Sequence, residues 1–234
     1  EGEIYTDLVL PPPGWRNSLR PYVIINMVSS VDGSTSIEGK ASPLGSSTDR
    51  QTMRNLRSKA DAVMVGAGTL RAEKLSLGLD DPPGGRQPLA VIATNSGDLP
   101  LEDNLVIDET QELLILTTHA TIVQLPGDKT RLRATPADES GNLDLLKPLQ
   151  TLKQDHGVDV LLVEGGPKMN HYLVSKELAD ELFLTLAPKL VGDSPTHTIL
   201  EGPPLSPRAQ PPELLSVHQA SDELFLRYRL STNA

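Results

Sequence analysis

The stretch VEGGPKMNHYL, residues 163–173, places an acid and two glycines at the end of an apolar run, with a proline directly behind them. Pro167 suits the first position of a helix, and Met169, Tyr172, Leu173 and Lys176 follow at helical spacing. Residues without a Cβ let a ligand approach the backbone closely. The unpaired N–H groups and the positive dipole end of the helix face that space. The chemistry on offer is stabilisation of a phosphate or pyrophosphate. A tight strand-to-helix turn would use the same Gly165 and Gly166. Glu164 favours the first reading, because an acid at the end of a buried strand is costly unless it meets a polar ligand or a partner group. The plain alternative is an acid that caps a neighbouring N–H.

VGAGTLRAE, residues 65–73, repeats the order of strand, glycine turn and helix start, with Gly66 and Gly68 in the turn. Thr69 can cap that helix or donate to a ligand. The stretch is not a dinucleotide fingerprint, since Arg71 stands at the third glycine position and no strand-end acid follows about 20 residues later. No Walker A loop occurs either. Arg50, Arg54 and Arg57 share one helix face, where a solvated surface is the ordinary outcome; one of them at a crevice could grip a phosphate. Asp32, in SVDG, suits a turn in which it bonds nearby backbone.

These residues need elements to hold them. YVIINMV (22–28) reads as a buried central strand, and Thr48 with Gln51 reads as a capping box. In the helix that follows, Met53, Leu56 and Ala60 lie opposite the arginines. DAVMVGAGTL gives a short strand and a short helix reaching Glu73. PLAVIAT (88–94), ELLILTT (112–118) and VDVLLVE (158–164) are further strands, the last preceded by a helix over 143–156. QLPGDKTRLRA is loop or edge material. ADELFLTLAPKLVG, ELLSVHQ and ELFLRYRL read as strands with no helix between them. The order implies a mostly parallel sheet with helices on both faces and an antiparallel C-terminal hairpin, in one domain over 21–234. Residues 1–20, with PPPGW at their centre, read as an arm that Trp15 anchors. Ligands bind at the carboxyl ends of such strands, here at SSVDGSTS, VGAGT and VEGGP.

Composition removes several function classes. A formal charge of −10 disfavours nucleic-acid partners, although a few local cations can still hold a small anion. The absence of cysteine excludes disulfides, thiolate zinc sites and iron–sulfur clusters, and the five scattered histidines make no metal site. No apolar run reaches the roughly 18 residues that cross a bilayer. The start EGEIYTDLVL is acidic where a signal peptide would be basic, so the cytoplasm is the expected compartment.

RPYVIINMVSSVDG, the LRSKADAVMVGAGTLRAE stretch and VLLVEGGPKMNHYLVSKELADELFLTLAPKLVG together resemble the pyrimidine reductase domain of riboflavin biosynthesis, the C-terminal half of the bacterial bifunctional deaminase–reductase. The resemblance runs over about residues 20–230. It implies a dihydrofolate reductase-like fold, a homodimer, and reduction of 5-amino-6-(5-phosphoribosylamino)uracil from ribosyl to ribityl with NADPH. It further implies that the backbone near Val28, then Gly66, Gly68, Thr69 and Glu73, and the run Gly165, Gly166, Pro167, Lys168 and Met169 contact the cofactor. Arg57 and Glu164 match the substrate side, and Glu73 or Asp32 is expected to influence proton transfer. The zinc deaminase half has no counterpart, because its pattern needs cysteines.

Departures from the family pattern sit in LRAEKLSLGLD: Glu73 stands in for an Asp, Leu75 for a proline, and Asp80 for an arginine. ASPLGSS stands where a tryptophan is common. A carboxylate at a phosphate-gripping position repels the ligand, so either Arg50, Arg54 or Arg71 substitutes, or the substrate differs. The alternatives are a reductase of another heterocycle such as dihydrofolate, or a catalytically silent NADPH-binding protein.

Overall fold

Residues Tyr22–Ser30 form the strand β1, in which Val23, Ile24 and Ile25 are at most 1% exposed. A run that is apolar at successive positions is what a strand covered on both faces requires, and each such side chain contributes about 1.5–3 kcal/mol on burial. The computed structural model describes residues 4–16, 19–73, 76–100, 111–118, 130–134, 137, 141, 143–192, 197–206 and 211–230. After β1 come α1 (Ser47–Arg57), β2 (Ala62–Gly66), α2 (Ala67–Ala72), a 3-10 turn (Pro83–Gly85), β3 (Leu89–Thr94), β4 (Leu113–Thr117) and β5 (Thr130–Ala134). The second half adds α3 (Leu146–His156), β6 (Val160–Val163), α4 (Pro167–Ser175), β7 (Glu181–Ala187), β8 (Glu213–Ala220) and β9 (Glu223–Arg229).

The strands make one nine-stranded sheet in the order β5-β4-β3-β2-β6-β1-β7-β9-β8. Every pair from β5 through β7 is parallel, while β9 runs antiparallel to both β7 and β8. The fold is the mixed α/β, dihydrofolate reductase-like sheet that the sequence implies. On one face α1 and α2 contribute Leu56, Ala67 and Leu70 to a core with Ile24, Val63, Ile92 and Phe183. On the other, α3 and α4 contribute Leu149, Leu152 and Leu173 to a core with Val23, Ile25, Met64 and Leu161. Parallel pairing brings the carboxyl ends of β1, β2 and β6 to one edge, which is where the glycine turns lie.

Two local expectations change and a third is narrowed. The N-cap of α1 is Ser46, whose Oγ accepts from the N–H groups of Thr48 and Asp49, so the cap lies two residues before Thr48. Its place is fixed from afar, because Glu223 accepts from both the N–H and the hydroxyl of Ser46. Helix α3 starts at Leu146 rather than at 143, after Asp144 has accepted the N–H of Leu146. The end of QLPGDKTRLRA is the edge strand β5; residues 124–129 of that stretch lie outside the described residues, as does Leu75. Ahead of β1, Trp15 meets Tyr22 edge-on at 5.2 Å and Tyr5 meets Phe183 edge-on at 5.0 Å, so an aromatic ten residues before the tryptophan also holds this segment.

Where β1 and β7 begin, the Asp180 carboxylate accepts two bonds from the Arg20 guanidinium, at 2.7 and 2.8 Å, and a third from the N–H of Val23. Both side chains are buried. Removing one partner of such a pair strands the other charge away from water. Arg20→Ala should therefore lower stability by about 3–5 kcal/mol, read as a shifted urea midpoint; a shift equivalent to under 1 kcal/mol would show that this pair does not hold the strand starts together.

Candidate active site

The two glycine turns meet. Gly66 ends β2 and caps α2, and its N–H donates to the Gly165 carbonyl at 2.9 Å. A Cβ on Gly66 would lie 3.2 Å from the Gly166 nitrogen, so a side chain there would push the two turns apart. Gly165 has φ +90°, and Gly166 is the N-cap of α4, with Pro167 at its start. No side chain caps α4, which leaves the first-turn N–H groups of Lys168 and Met169 directed at the space ahead of the helix. Thr69 lies inside α2 and does not cap it; its Oγ1 faces the two glycines, 3.2 Å from where a Gly166 Cβ would stand.

A crevice of about 1250 Å³ opens over this edge. That exceeds the usual range for a single small ligand, about 300–1000 Å³, and gives room for two. Alternation along β1 divides it. Asn26 and Val28 face the α1 side, as their register partners Phe183 and Thr185 do, while Met27 packs with Met169 and Tyr172 on the α4 side. Residues 197–203 run along one wall: the N–H of Thr35 donates to the His197 carbonyl, the Asn170 amide to the Ile199 carbonyl, and the N–H of Glu201 to the Pro167 carbonyl.

Arg57 and Glu164 both line the crevice and form a bidentate pair at 2.7 Å, with side chains 5% and 9% exposed. Arg57 also donates to the carbonyls of Ser76 and Gly78. The acid at the end of β6 has thus met a guanidinium, and the arginine of an ordinary surface stripe is buried because that acid is there. Of Arg50, Arg54 and Arg71, Arg54 bonds Gln51, whereas Arg50 and Arg71 line the crevice; Arg71 donates to the Asp98 carbonyl and, among the described residues, Arg50 donates to that of Gly45.

The two groups expected to influence proton transfer are otherwise engaged. Glu73, at the C-cap of α2, lines the crevice, but its Oε1 accepts from the N–H groups of Ala41 at 2.6 Å and Ser42 at 3.3 Å, which fixes the loop ahead of α1. Asp32 does not line the crevice. Its carboxylate accepts from the Ser30 hydroxyl and from the N–H groups of Val191 and Gly192, joining the turn after β1 to the one after β7. Those bonds, the Ser30 hydroxyl first, lower its pKa to about 2, so it carries no proton to give near neutrality.

Two crevice residues escaped the sequence reading. Asn26 is an amide inside an apolar strand run, and that interruption was the available signal. Asp49 stands three residues after the cap, Ser46, in the first turn of α1, where an acid is ordinary. Burial pushes its carboxyl up from the ordinary range, the Thr185 hydroxyl pulls it down, and the neighbouring charges of Glu223 and Glu164 add to the rise.

Comparison with known proteins gives relatives and a shared fold. The RibD C-terminal domain family matches residues 21–221. A 2,5-diamino-6-ribosylamino-4(3H)-pyrimidinone 5′-phosphate reductase of Aquifex aeolicus is 30% identical, over 78% of this chain and 84% of its own. The reductase of the same name from Methanothermobacter thermautotrophicus is 26% identical, over 79% and 85%. Riboflavin biosynthesis protein RibD of Bacillus amyloliquefaciens is 28% identical over 78% of this chain, which spans about half (49%) of that longer protein. Among solved structures, RibD of Acinetobacter baumannii superposes with a TM-score of 0.76 at 24% identity, covering 91% of this chain and 59% of that one. The riboflavin biosynthesis reductase Rib7 of Saccharomyces superposes at 0.71 and 20%, covering 93% of both chains. These superpositions carry the fold.

Two outcomes test the site's wiring. Arg57→Ala should cost about 3–5 kcal/mol of stability by leaving Glu164 buried without its cation, measured by denaturant unfolding. The Asp32 contribution is present above its ordinary value of 3.8 and is lost as pH falls toward about 2. Hydrogen exchange at the Val191 and Gly192 amides, corrected for the intrinsic pH dependence, should lose protection over that window, and Asp32→Asn should show the loss already at neutral pH. Unchanged protection in both would break the assignment.

Proposed function

The chain belongs to the RibD C-terminal domain family, and from that premise we propose that it reduces a ribosylaminopyrimidine 5′-phosphate to the ribityl compound with NADPH. The relatives that it covers nearly end to end are named for the 2,5-diamino-pyrimidinone. That moves the first choice of substrate from the aminouracil to the diaminopyrimidinone. The observation that carries the proposal is the contact of two glycine turns beneath a crevice with room for two ligands.

The residues fit a dinucleotide. Side chains at Gly66 and Gly166 would fill the space between the turns, and a Cβ on Gly68 would meet nothing within 4 Å, so that edge is open to a ligand. The backbone at Gly165, Gly166, Lys168 and Met169 offers N–H groups to an anionic linker, the Lys168 ammonium adds a cation, and Pro167 fixes where the helix starts. Val28 and Thr69 border the same space. When bound, the dihydronicotinamide supplies the hydride, and the protein's task is to hold the sugar carbon in reach of it. The Arg57–Glu164 pair forms a fixed polar floor in the substrate half, which the Asn26 amide also lines. Arg50, which among the described residues donates to the Gly45 carbonyl, takes the role of the phosphate cation that Asp80 cannot fill.

A second copy of the chain is expected to cover β8, the outermost strand, where Leu214 and Val217 are half exposed. Sedimentation equilibrium should give twice the chain mass.

The test is NADPH oxidation with the diaminopyrimidinone phosphate, its dephosphorylated form, the aminouracil phosphate and dihydrofolate. Turnover of the first should exceed all others. Arg50→Ala should raise KM for the phosphate at least about tenfold, equivalent to 1.4 kcal/mol, with kcat nearly unchanged. Faster turnover of dihydrofolate would replace the substrate, and tight cofactor binding without any turnover would leave a binding protein.

A further inference from the structure

Glu164 and Glu73 line the crevice with Asp49, Glu223 acts on Asp49 from outside that lining, and all three glutamates are committed. Glu164 is held by Arg57, Glu73 by the backbone of Ala41 and Ser42, and Glu223 by the N–H and hydroxyl of Ser46. Asp49 differs. The Thr185 hydroxyl stands by its carboxyl, and it lines the crevice together with Asn26 and Val28. Thr185 is the register partner of Val28, so Asp49 is tied to the level of the sheet at which the cofactor is expected to end. Its position is built. The Ser46 hydroxyl accepts the Asp49 N–H, and the carboxyl packs where a Cβ at residue 45 would stand, so a larger residue there would displace it.

We propose that Asp49 is the proton donor of the reduction, a catalytic acid that the family resemblance does not assign; this rests on the function proposed above. In a ribosylamine, C1′ is bonded to the ring nitrogen substituent and to O4′. The C1′–O4′ bond breaks and its electron pair goes to O4′, which takes the Asp49 proton and becomes a hydroxyl. C1′ receives the hydride with its electron pair from the dihydronicotinamide, which is oxidised as the sugar is reduced. The Asp49 carboxylate then recovers a proton from water in the crevice. Its environment supports this role: burial and the charges of Glu223 on β9 and Glu164 after β6 keep the proton on, while the Thr185 hydroxyl on β7 and Arg50 on α1 oppose them.

The sign of the pH dependence follows. With a raised value, the acid form persists above the ordinary carboxylate range, and kcat falls as pH rises through that value. Asp49→Asn should lower kcat with the diaminopyrimidinone phosphate by about 10²–10⁴-fold and abolish that limb. Its NADPH affinity, read from cofactor fluorescence, should stay within threefold of the parent. Thr185→Val removes a bond that lowers the value, so the limb should move to higher pH. In the free protein, infrared difference spectra should show a protonated carboxyl band that titrates at the same pH and is missing in Asp49→Asn. A folded Asp49→Asn with parental kcat and an intact limb overturns the assignment while leaving the reductase standing. No turnover by the parent protein overturns the reductase reading and the donor with it.

Discussion

The ion pair between Arg57 and Glu164 is the constraint on which the rest of the crevice depends. It joins residues 107 apart in sequence, the last residue of α1 and the first after β6, and the same guanidinium ties down the carbonyls of Ser76 and Gly78. A charge buried to this extent stays only where its partner is fixed. The sheet fixes it: β6 lies between β1 and β2, and the N–H of Glu164 donates to the Met64 carbonyl. The pair converts three separate chain segments into one rigid floor.

Around that floor the parallel sheet does the positioning. Side chains of β1 alternate between the two core faces, so one strand supplies Asn26 and Val28 to one half of the crevice and Met27 to the other. The α1 half carries Asp49, Glu73, Arg50 and the Asn26 amide. The α4 half carries the glycines, the helix start and Lys168. A site for two partners of unlike chemistry is obtained from one strand's pleat and two helices on opposite faces.

Much of this was legible in the residues because it is local. Apolar runs gave β1, β3, β4, β6 and β7, and the succession of Gly165, Gly166 and Pro167 gave the start of α4. What escaped depends on contacts across the chain. Ser46, Ser47 and Thr48 can each cap α1, and Glu223, 177 residues away, decides for Ser46. The arginine stripe reads as solvated until Glu164 buries one member. Asp49 reads as a first-turn acid until Thr185 and the neighbouring carboxylates give it an environment. Asp32 sits in a turn, as its pattern implies, but the backbone that its carboxylate holds is that of Val191 and Gly192, far along the chain.

Residues 197–203 bond to the connection after β1 through Thr35 and to the start of α4 through Asn170 and Pro167. One short run of backbone is thus a clasp between opposite walls. Neither wall can be displaced without breaking those bonds or carrying the clasp along, so the width of the cleft is set jointly by both lips and not by either alone.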